Sequence, residues 1–237
     1  MAAARDRAMP AGSQLPASVP GQPSGTGRTR ERAGLAIKRA TDSLLASVLL
    51  VVLAPALLLV ALAVRLDSPG PALFRQRRLG RRRREFRMLK FRSMTAGASP
   101  DLHRHYIEHL AEAKPGPSDG ALLKLTADPR VTRLGAFLRR TSIDELPQLL
   151  NVLAGQMSLV GPRPAVAYEL QHYRSHHFER FAVRPGLTGL WQVSGRAQLG
   201  LEAMLDLDAE YVRRRSFLLD LSLLLRTPKA VFDGLTA

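Results

Sequence analysis

The feature that most constrains the fold is an uncharged apolar stretch of 21 residues from Leu44 to Val64. Only Ser47 and Pro55 interrupt its small and aliphatic side chains. A helix needs about 20 apolar residues to match the hydrocarbon core of a bilayer. We therefore expect a membrane-embedded helix over residues 34–66. The alternative is a helix buried in the core of a soluble protein.

Basic side chains flank this stretch on both sides, with Lys38 and Arg39 before it and the run Arg81 to Arg84 after it. Basic flanks favour the cytoplasmic face, so a straight span would force one set outward. Pro55 lies near the middle, where proline removes a backbone hydrogen bond and kinks a helix. This pattern favours a re-entrant helix, kinked at Pro55, that returns to the same face. An ordinary kinked span is the alternative.

The chain carries a formal charge of +15, with 35 Lys and Arg residues and no cysteine. Such a charge implies an anionic partner, which is a nucleic acid, an acidic membrane surface or a phosphorylated substrate. The absence of cysteine excludes disulfides, thiolate metal sites and thiol nucleophiles. Residues 1–33 are rich in Ala, Pro, Gly, Ser and Arg, and this composition predicts a disordered basic tail.

An adjacent acid pair, Asp144 and Glu145, lies in an apolar segment that ends in the rigid turn Gly161-Pro162-Arg163-Pro164. Two carboxylates in a strongly basic chain suit the binding of a divalent cation, or the use of one carboxylate as a nucleophile. The alternative is a capping box, in which Ser142 caps a helix and Glu145 bonds back to its amide.

Several cations lie beside turn residues, where a guanidinium is well placed for bidentate binding of phosphate. These candidate phosphate ligands are Lys90, Arg92, Arg163, Arg184 and Arg196.

The hydropathy pattern predicts an α+β fold that is mostly α, with a short hairpin after the membrane helix. The hairpin strands cover Ala72–Gln76 and Glu85–Arg92. The predicted helices cover Leu102–Ala113, Val131–Arg140, Leu146–Leu153, Ala165–Phe181 and Leu201–Arg214. The apolar stretch from Phe217 to Leu225 predicts an interfacial helix among lipid headgroups, with a buried core helix as the alternative.

Several sequence blocks resemble, in order and spacing, those of the bacterial sugar transferase family of polyprenol-phosphate phosphoglycosyl transferases. They include KFRSM, TSIDELPQLLNVLAGQMSLVGPRP, RPGLTGLWQVSGR and DLDAEYV. The resemblance extends from about Lys38 to Gly234. It implies a monotopic protein of the bacterial inner membrane, with a catalytic domain over residues 67–237 on the cytoplasmic face.

The resemblance also implies a reaction, in which a nucleotide diphosphate sugar, usually a UDP-sugar, donates its sugar 1-phosphate to undecaprenyl phosphate and releases UMP. The product is an undecaprenyl diphosphosugar, formed in the first membrane step of exopolysaccharide or surface glycan synthesis. Asp144 matches the nucleophile that forms a phosphosugar-aspartyl intermediate, and Glu145 matches the second acid. Lys90, Arg163 and Asp208 match further active-site positions. The implied cofactor is Mg²⁺, with Mn²⁺ as a substitute, held by Asp144 and Glu145.

The run Arg81 to Arg84 departs from the family where relatives commonly carry another glycine, so the conformation of this turn is expected to differ. The rival functions are a basic nucleic-acid-binding protein and a non-catalytic membrane scaffold. Few aromatic residues for base stacking and the uncharged stretch argue against nucleic acid. A histidine metal site at His103, His105 and His109, or at His172 and His176, is a further alternative. Trp191 and Gln192 are candidates for contacts with the sugar.

Overall fold

The computed structural model describes residues 25–95, 107, 130–195 and 199–236. The helices are α1 (Gly25–Asp67), α2 (Arg133–Thr141), α3 (Gln148–Leu153), α4 (Leu190–Val193), α5 (Leu201–Arg214) and α6 (Phe217–Thr236). The strands are β1 (Leu73–Leu79), β2 (Glu85–Phe91), β3 (Ser158–Val160) and β4 (Gly186–Thr188). Short 3₁₀ segments cover Arg81–Arg83, Ile143–Glu145, Ala167–His172 and Ser175–Ala182. The described residues from Ile37 onward form one compact unit.

Two small sheets form the β part of the fold. Strands β1 and β2 pair antiparallel, from Leu73 opposite Phe91 to Leu79 opposite Glu85. The Asn151 side chain continues the free edge of β2, since its oxygen accepts from the Leu89 amide at 2.9 Å and its NH₂ donates to the Arg87 carbonyl at 2.8 Å. The antiparallel pairing of β1 with β2 confirms the predicted hairpin. Strands β3 and β4 pair parallel.

The main hydrophobic core is formed by helices and strands that lie far apart in the sequence. Buried side chains from β2, α3, β3, α5 and α6 meet in it, together with Ala46 of α1. A second cluster brings Val64 of α1 against Phe91 of β2 and Leu138 of α2. Helix α1 therefore packs on the same unit on both sides of Pro55.

Polar contacts fix α1 at both ends of its apolar stretch. At the start, the Arg39 guanidinium donates to the carbonyls of Val152 and, at 2.7 Å, Leu153. At the end, the Arg92 guanidinium donates to the carbonyls of Val64 at 2.9 Å, Ser68 at 2.6 Å and Pro69 at 2.6 Å. These carbonyls belong to the last turn of the helix and the residues just after it, where backbone acceptors lack helical partners.

Most of the apolar surface of α1 is nevertheless exposed, with Val51 75% and Leu59 68% accessible. Among the described residues, Ala33–Asp67 is the one helical stretch long and apolar enough to cross a membrane, with a mean hydropathy of 2.9. The helix is continuous through Pro55, and the re-entrant kink remains a prediction. Residues 25–33, predicted to belong to the tail, are helical, while the preceding tail lies outside the described residues.

The predicted helix over Ala165–Phe181 is wrong as a single element. The chain there forms two 3₁₀ segments, because Tyr173 and Arg174 take extended backbone angles between them. The prediction for Leu201–Arg214 is confirmed by α5. The helix predicted over Leu102–Ala113 lies outside the described residues except for Ile107, which is helical and buried.

The described residues on either side of 96–129 pair with each other. Met94 and Val131 form an antiparallel bridge, and the Thr95 amide donates to the Arg130 carbonyl at 2.8 Å. Beside this bridge, α2 lies directly on the backbone of Ser93. A Cβ on Gly135 would lie 2.0 Å from the Ser93 carbonyl oxygen. Only glycine allows this approach.

We expect Gly135→Ala to lower the free energy of unfolding by about 2–3 kcal/mol, because two backbones must separate to admit the methyl group. Gly34→Ala is the matched control, since no atom lies within 4 Å of its added Cβ and alanine favours a helix. Thermal unfolding of both variants in detergent tests this. Equal midpoints for the two variants would contradict the proposed packing.

Candidate active site

The acid pair lies on the short 3₁₀ turn Ile143–Glu145 between α2 and α3. Ser142 ends α2 with left-handed backbone angles, φ 58° and ψ 15°, so the chain changes direction just before Asp144. The Ser142 side chain makes no capping hydrogen bond, and Glu145 bonds to Lys90 instead. The capping-box alternative is therefore wrong, because Ser142 lacks the extended conformation that an N-cap requires.

Glu145 pairs with Lys90 of β2, with 2.7 Å between the Glu145 Oε1 and the Lys90 Nζ. Burial alone would raise the pKa of Glu145, but the charge and hydrogen bond of Lys90, with Arg163 and Arg78, hold it below its ordinary value. Glu145 is therefore ionised at neutral pH. The pair also joins β2 to the acid turn across 55 positions of sequence.

Asp144 is the more buried of the two acids, with 6% of its surface exposed. Burial raises the pKa of Asp144 to about 6, and the charge of Glu145 adds to this effect while Lys90 and Arg139 oppose it. A carboxylate with a raised pKa is a stronger nucleophile than an ordinary one, and near pH 7 most of it is still ionised. Two neighbouring acids thus have different electrostatic environments.

A pocket of about 80 Å³, which we call the acid pocket, opens beside Glu145. Its polar lining consists of Glu145, Lys90, Arg78, Arg163, Gln148 and Gln192, with Trp191 as its aromatic wall. The structure therefore brings Lys90 and Arg163 to the acid pair, in line with their prediction as phosphate ligands. Lys90 pairs with Glu145, Arg163 pairs with the buried Glu169 at 3.4 Å, and Arg78 adds a third cation, so the pocket offers several N–H donors to an anionic substrate.

Arg78 was not among the candidates predicted from the sequence, because it is one of many arginines in the stretch after the membrane helix. Its guanidinium is buried and donates to the Pro164 carbonyl at 2.9 Å and the Gln76 side chain at 2.9 Å. Burial, followed by the charge of Arg163, lowers the pKa of Arg78 to about 10. The alternation of side chains along β1 is the sequence signal that distinguishes Arg78 from the other arginines, because Gln76 and Arg78 point to the same face of the hairpin.

Trp191 and Gln192 lie at the start of α4 on the wall of the acid pocket. The Trp191 indole N–H and the Gln192 side-chain oxygen are buried, and neither has a hydrogen-bond partner among the described residues. Buried polar atoms are normally paired, so such atoms at a pocket wall favour contact with a ligand.

Asp208 lies behind the acid pocket rather than on its wall. Its carboxylate pairs with the Arg180 guanidinium at 2.8 Å, and both side chains are buried. Burial raises the pKa of Asp208 to about 7, although Arg180 and the Arg163 backbone and charge oppose this. Arg180 also donates to the Arg163 carbonyl at 2.5 Å. Asp208 therefore supports the backbone that carries Arg163.

Two predicted phosphate ligands, Arg92 and Arg184, are not brought to the acid pocket. Arg92 is directed at the carbonyls at the end of α1, which accounts for its burial. Arg184 donates to the Gly155 carbonyl at 2.8 Å and lines a different cavity. Arg196 lies outside the described residues.

Two groups of side chains have the composition of a cation site. Asp144 and Glu145 offer hard carboxylate oxygens beside a pocket for an anion, which suits Mg²⁺.

His176, His177 and Asp206 also place potential ligand atoms within 4.8 Å of one another. However, the His177 Nδ1 accepts a hydrogen bond from the Arg174 amide at 3.0 Å. The proton of the neutral ring is then on Nε2, which lies 3.0 Å from Asp206. This arrangement suits a hydrogen bond and blocks metal binding at that nitrogen. His172 instead contacts Gln171.

Comparison with known proteins assigns the family. The family model for bacterial sugar transferases matches residues 33–234. The exopolysaccharide production protein ExoY of Rhizobium meliloti is 40% identical over 211 residues, which are 88% of this chain and 91% of that protein. The UDP-glucose:undecaprenyl-phosphate glucose-1-phosphate transferase of Xanthomonas campestris is 39% identical over 219 residues, which are 89% of this chain and 42% of that protein.

The undecaprenyl-phosphate galactose phosphotransferase of Salmonella typhimurium is 37% identical over 206 residues, which are 86% of this chain and 42% of that protein. The chain thus spans about nine-tenths of ExoY but about two-fifths of these two transferases. Both the matched range and the extent of identity lead to one conclusion: the chain belongs to the bacterial sugar transferase family.

Proposed function

We propose that the protein transfers a sugar 1-phosphate from a UDP-sugar to undecaprenyl phosphate, releases UMP and forms an undecaprenyl diphosphosugar for exopolysaccharide or surface glycan synthesis. The names of several relatives describe this reaction or this pathway. The observation that carries the proposal is the acid turn itself. It holds a buried carboxylate, Asp144, next to Glu145, which pairs with Lys90 and lines a pocket with further cations.

In the first step, an Asp144 carboxylate oxygen attacks the phosphorus next to the sugar. The bond from that phosphorus to the bridging oxygen of the diphosphate breaks, and UMP leaves with the electron pair. In the second step, an oxygen of undecaprenyl phosphate attacks the same phosphorus and displaces the carboxylate. Asp144 is regenerated, so a water-soluble donor and a membrane-bound acceptor never need to meet.

The electrostatics of the acid pair support different roles for its members. The lowered pKa of Glu145 and its contact with Lys90 keep it ionised and fixed in place. The raised pKa of Asp144, about 6, makes it the more basic carboxylate of the two. We assign Asp144 as the nucleophile and Glu145 as the residue that positions Lys90.

The cations of the acid pocket are suited to the donor diphosphate. Arg163 and Lys90 are partly exposed at the pocket, and Arg78 is buried behind them. Oriented guanidinium groups stabilise the charge that develops on phosphate oxygens during phosphoryl transfer. Asp144 and Glu145 would hold Mg²⁺, which neutralises diphosphate charge when bound. Its presence would also relieve the repulsion between the two carboxylates.

The packing of α1 supports a re-entrant, monotopic arrangement with the catalytic unit on the cytoplasmic face. Arg39 and Arg92 attach the two ends of the apolar stretch to one compact unit. This attachment supports a placement of both ends of the stretch on the same side of the membrane as that unit. The exposed apolar residues Phe217, Leu218 and Leu225 on α6 offer a second surface for lipid, in agreement with the predicted interfacial helix.

We expect Asp144→Asn to lower UMP release by at least roughly 10³-fold, because the amide is not a nucleophile. Intact mass spectrometry after incubation with UDP-sugar alone should show a sugar-phosphate adduct on the native protein and none on the variant. Asp67→Asn, which changes an exposed acid at the end of α1, is the matched control. Normal turnover by Asp144→Asn would exclude the covalent route.

We expect Lys90→Gln to shift the acid limb of the pH profile of kcat/KM to higher pH by about 1 unit. Lys90 lowers the pKa of Asp144, so its removal leaves more of the nucleophile protonated near pH 6. Lys90→Arg retains the charge and should leave the limb in place. An unchanged limb in Lys90→Gln would show that Asp144 ionisation does not limit the reaction.

The native chain has no cysteine, so single cysteines can report topology directly. Gly34→Cys and Asp67→Cys place thiols at exposed positions on either side of the apolar stretch. In sealed inverted membrane vesicles, which expose the cytoplasmic face, a membrane-impermeant maleimide should label both positions. Labelling of only one would identify a spanning helix and contradict the re-entrant arrangement.

A further inference from the structure

A second cavity, of about 400 Å³, lies at the tip of the β1–β2 hairpin. We call it the basic groove, and its principal lining residues are Arg81, Arg82, Arg84, Arg184, Glu85 and Gly155. It shares no lining residue with the acid pocket. Glu85, the first residue of β2 at the tip, is separated from Lys90 by about 17 Å along the strand, the length of five extended residues. A ligand here is too far away to react with Asp144.

The groove carries a concentrated positive charge. Four arginines face one carboxylate, that of Glu85. A fifth guanidinium, that of Arg39, lies 3.4 Å from the position of an added Cβ on Gly155. Burial, followed by the charges of Arg39 and Arg81, lowers the pKa of Arg184 despite an opposing effect from Asp42. Arginines this close repel one another, and a bound anion would relieve the repulsion.

The four arginines of the groove are of two kinds: two are held by hydrogen bonds, and two are exposed and available to a ligand. The Arg81 Nε donates to the Ala182 carbonyl at 3.0 Å and Arg184 donates to Gly155, so both are fixed in place. Arg82 and Arg84 are exposed, and no ion pair among the described residues includes either one. The groove therefore has two anchored guanidinium groups and two that are free to close on an anion.

The backbone at the tip is in a conformation that glycine usually supplies. Arg82 and Arg83 both have left-handed angles, with φ of 57° and 58°. Two consecutive large residues in this region cost free energy, and such strain concentrates at functional sites. Arginine at position 82 therefore has a cost in backbone free energy that glycine would not have.

The groove also lies close to the membrane segment. Arg39 precedes Leu44, the first residue of the apolar stretch, by five residues, which is about 7.5 Å along a helix. Given the membrane attachment proposed above, the guanidinium of Arg39 and its neighbours lies at the level of the lipid headgroups. Phosphate groups carried by membrane lipids are the anions concentrated at this level.

We propose that the basic groove binds the phosphate of an anionic phospholipid headgroup, and that this contact holds the hairpin at the membrane surface. Arginine forms paired hydrogen bonds with phosphate, which suits Arg82 and Arg84 at the open side of the groove. The site is separate from the one that binds the reacting substrates. The proposal rests on the membrane attachment of α1 but not on the chemistry of Asp144.

The test uses the full chain in nonionic detergent and measures retention of phosphatidylglycerol against phosphatidylcholine by native mass spectrometry. The double variant Arg82→Gly/Arg84→Gln should bind phosphatidylglycerol about tenfold more weakly, because two charge-assisted contacts are lost. Glycine relieves the left-handed strain at position 82, so the unfolding midpoint should stay the same or rise. Arg213→Gln, an exposed arginine that pairs with Glu179 at 3.6 Å, is the matched control.

Equal retention of phosphatidylglycerol by the native protein and the double variant would overturn the proposal. Competition measurements with UMP and with the UDP-sugar identify the ligand further, because neither compound should displace the lipid from the basic groove. If they displace it, and the double variant raises the KM for the UDP-sugar, the groove is a nucleotide site instead. Asp144→Asn should lose turnover and keep lipid binding, so failure of the proposed reaction and failure of this proposal give different results.

Discussion

The ion pair between Lys90 and Glu145 is the interaction on which the candidate site depends. It joins the hairpin to the acid turn and contributes to the difference between the two acids. Glu145 is neutralised by a cation in direct contact, whereas Asp144 is buried and has an elevated pKa. Adjacent carboxylates with equal environments would repel each other and have no distinct roles. The lysine therefore supplies the geometry and lowers the pKa of Glu145, while burial raises the pKa of Asp144.

Attachment of α1 to the catalytic unit is the second constraint. The guanidinium groups of Arg39 and Arg92 bind carbonyls at opposite ends of the apolar stretch, and Ala46 and Val64 pack into two different clusters. The helix is therefore part of the catalytic fold rather than a separate anchor. This packing supports a fixed distance between the acid turn and the membrane, which a transfer from a soluble donor to a lipid acceptor requires.

The sequence was sufficient to predict the elements with clear periodicity and to single out the acid pair as a candidate site. Helix α5 and the hairpin follow directly from their hydrophobic patterns. The false capping box arose because the sequence does not show that Ser142 adopts a left-handed conformation. Arg92 resembled a phosphate ligand because its carbonyl partners come from a distant turn. The roles of Arg78 and Arg180 depend on burial and long-range contacts that no local motif encodes.

The pairing of Met94 with Val131 and of Thr95 with Arg130 has a consequence for the acid turn. Both ends of the intervening 34-residue sequence are fastened beside α2, which leads into that turn. The close approach of Gly135 to the Ser93 carbonyl holds α2 at the same place. The start of α2, and with it the position of Asp144, is therefore fixed by the paired flanks rather than by the number of residues between them.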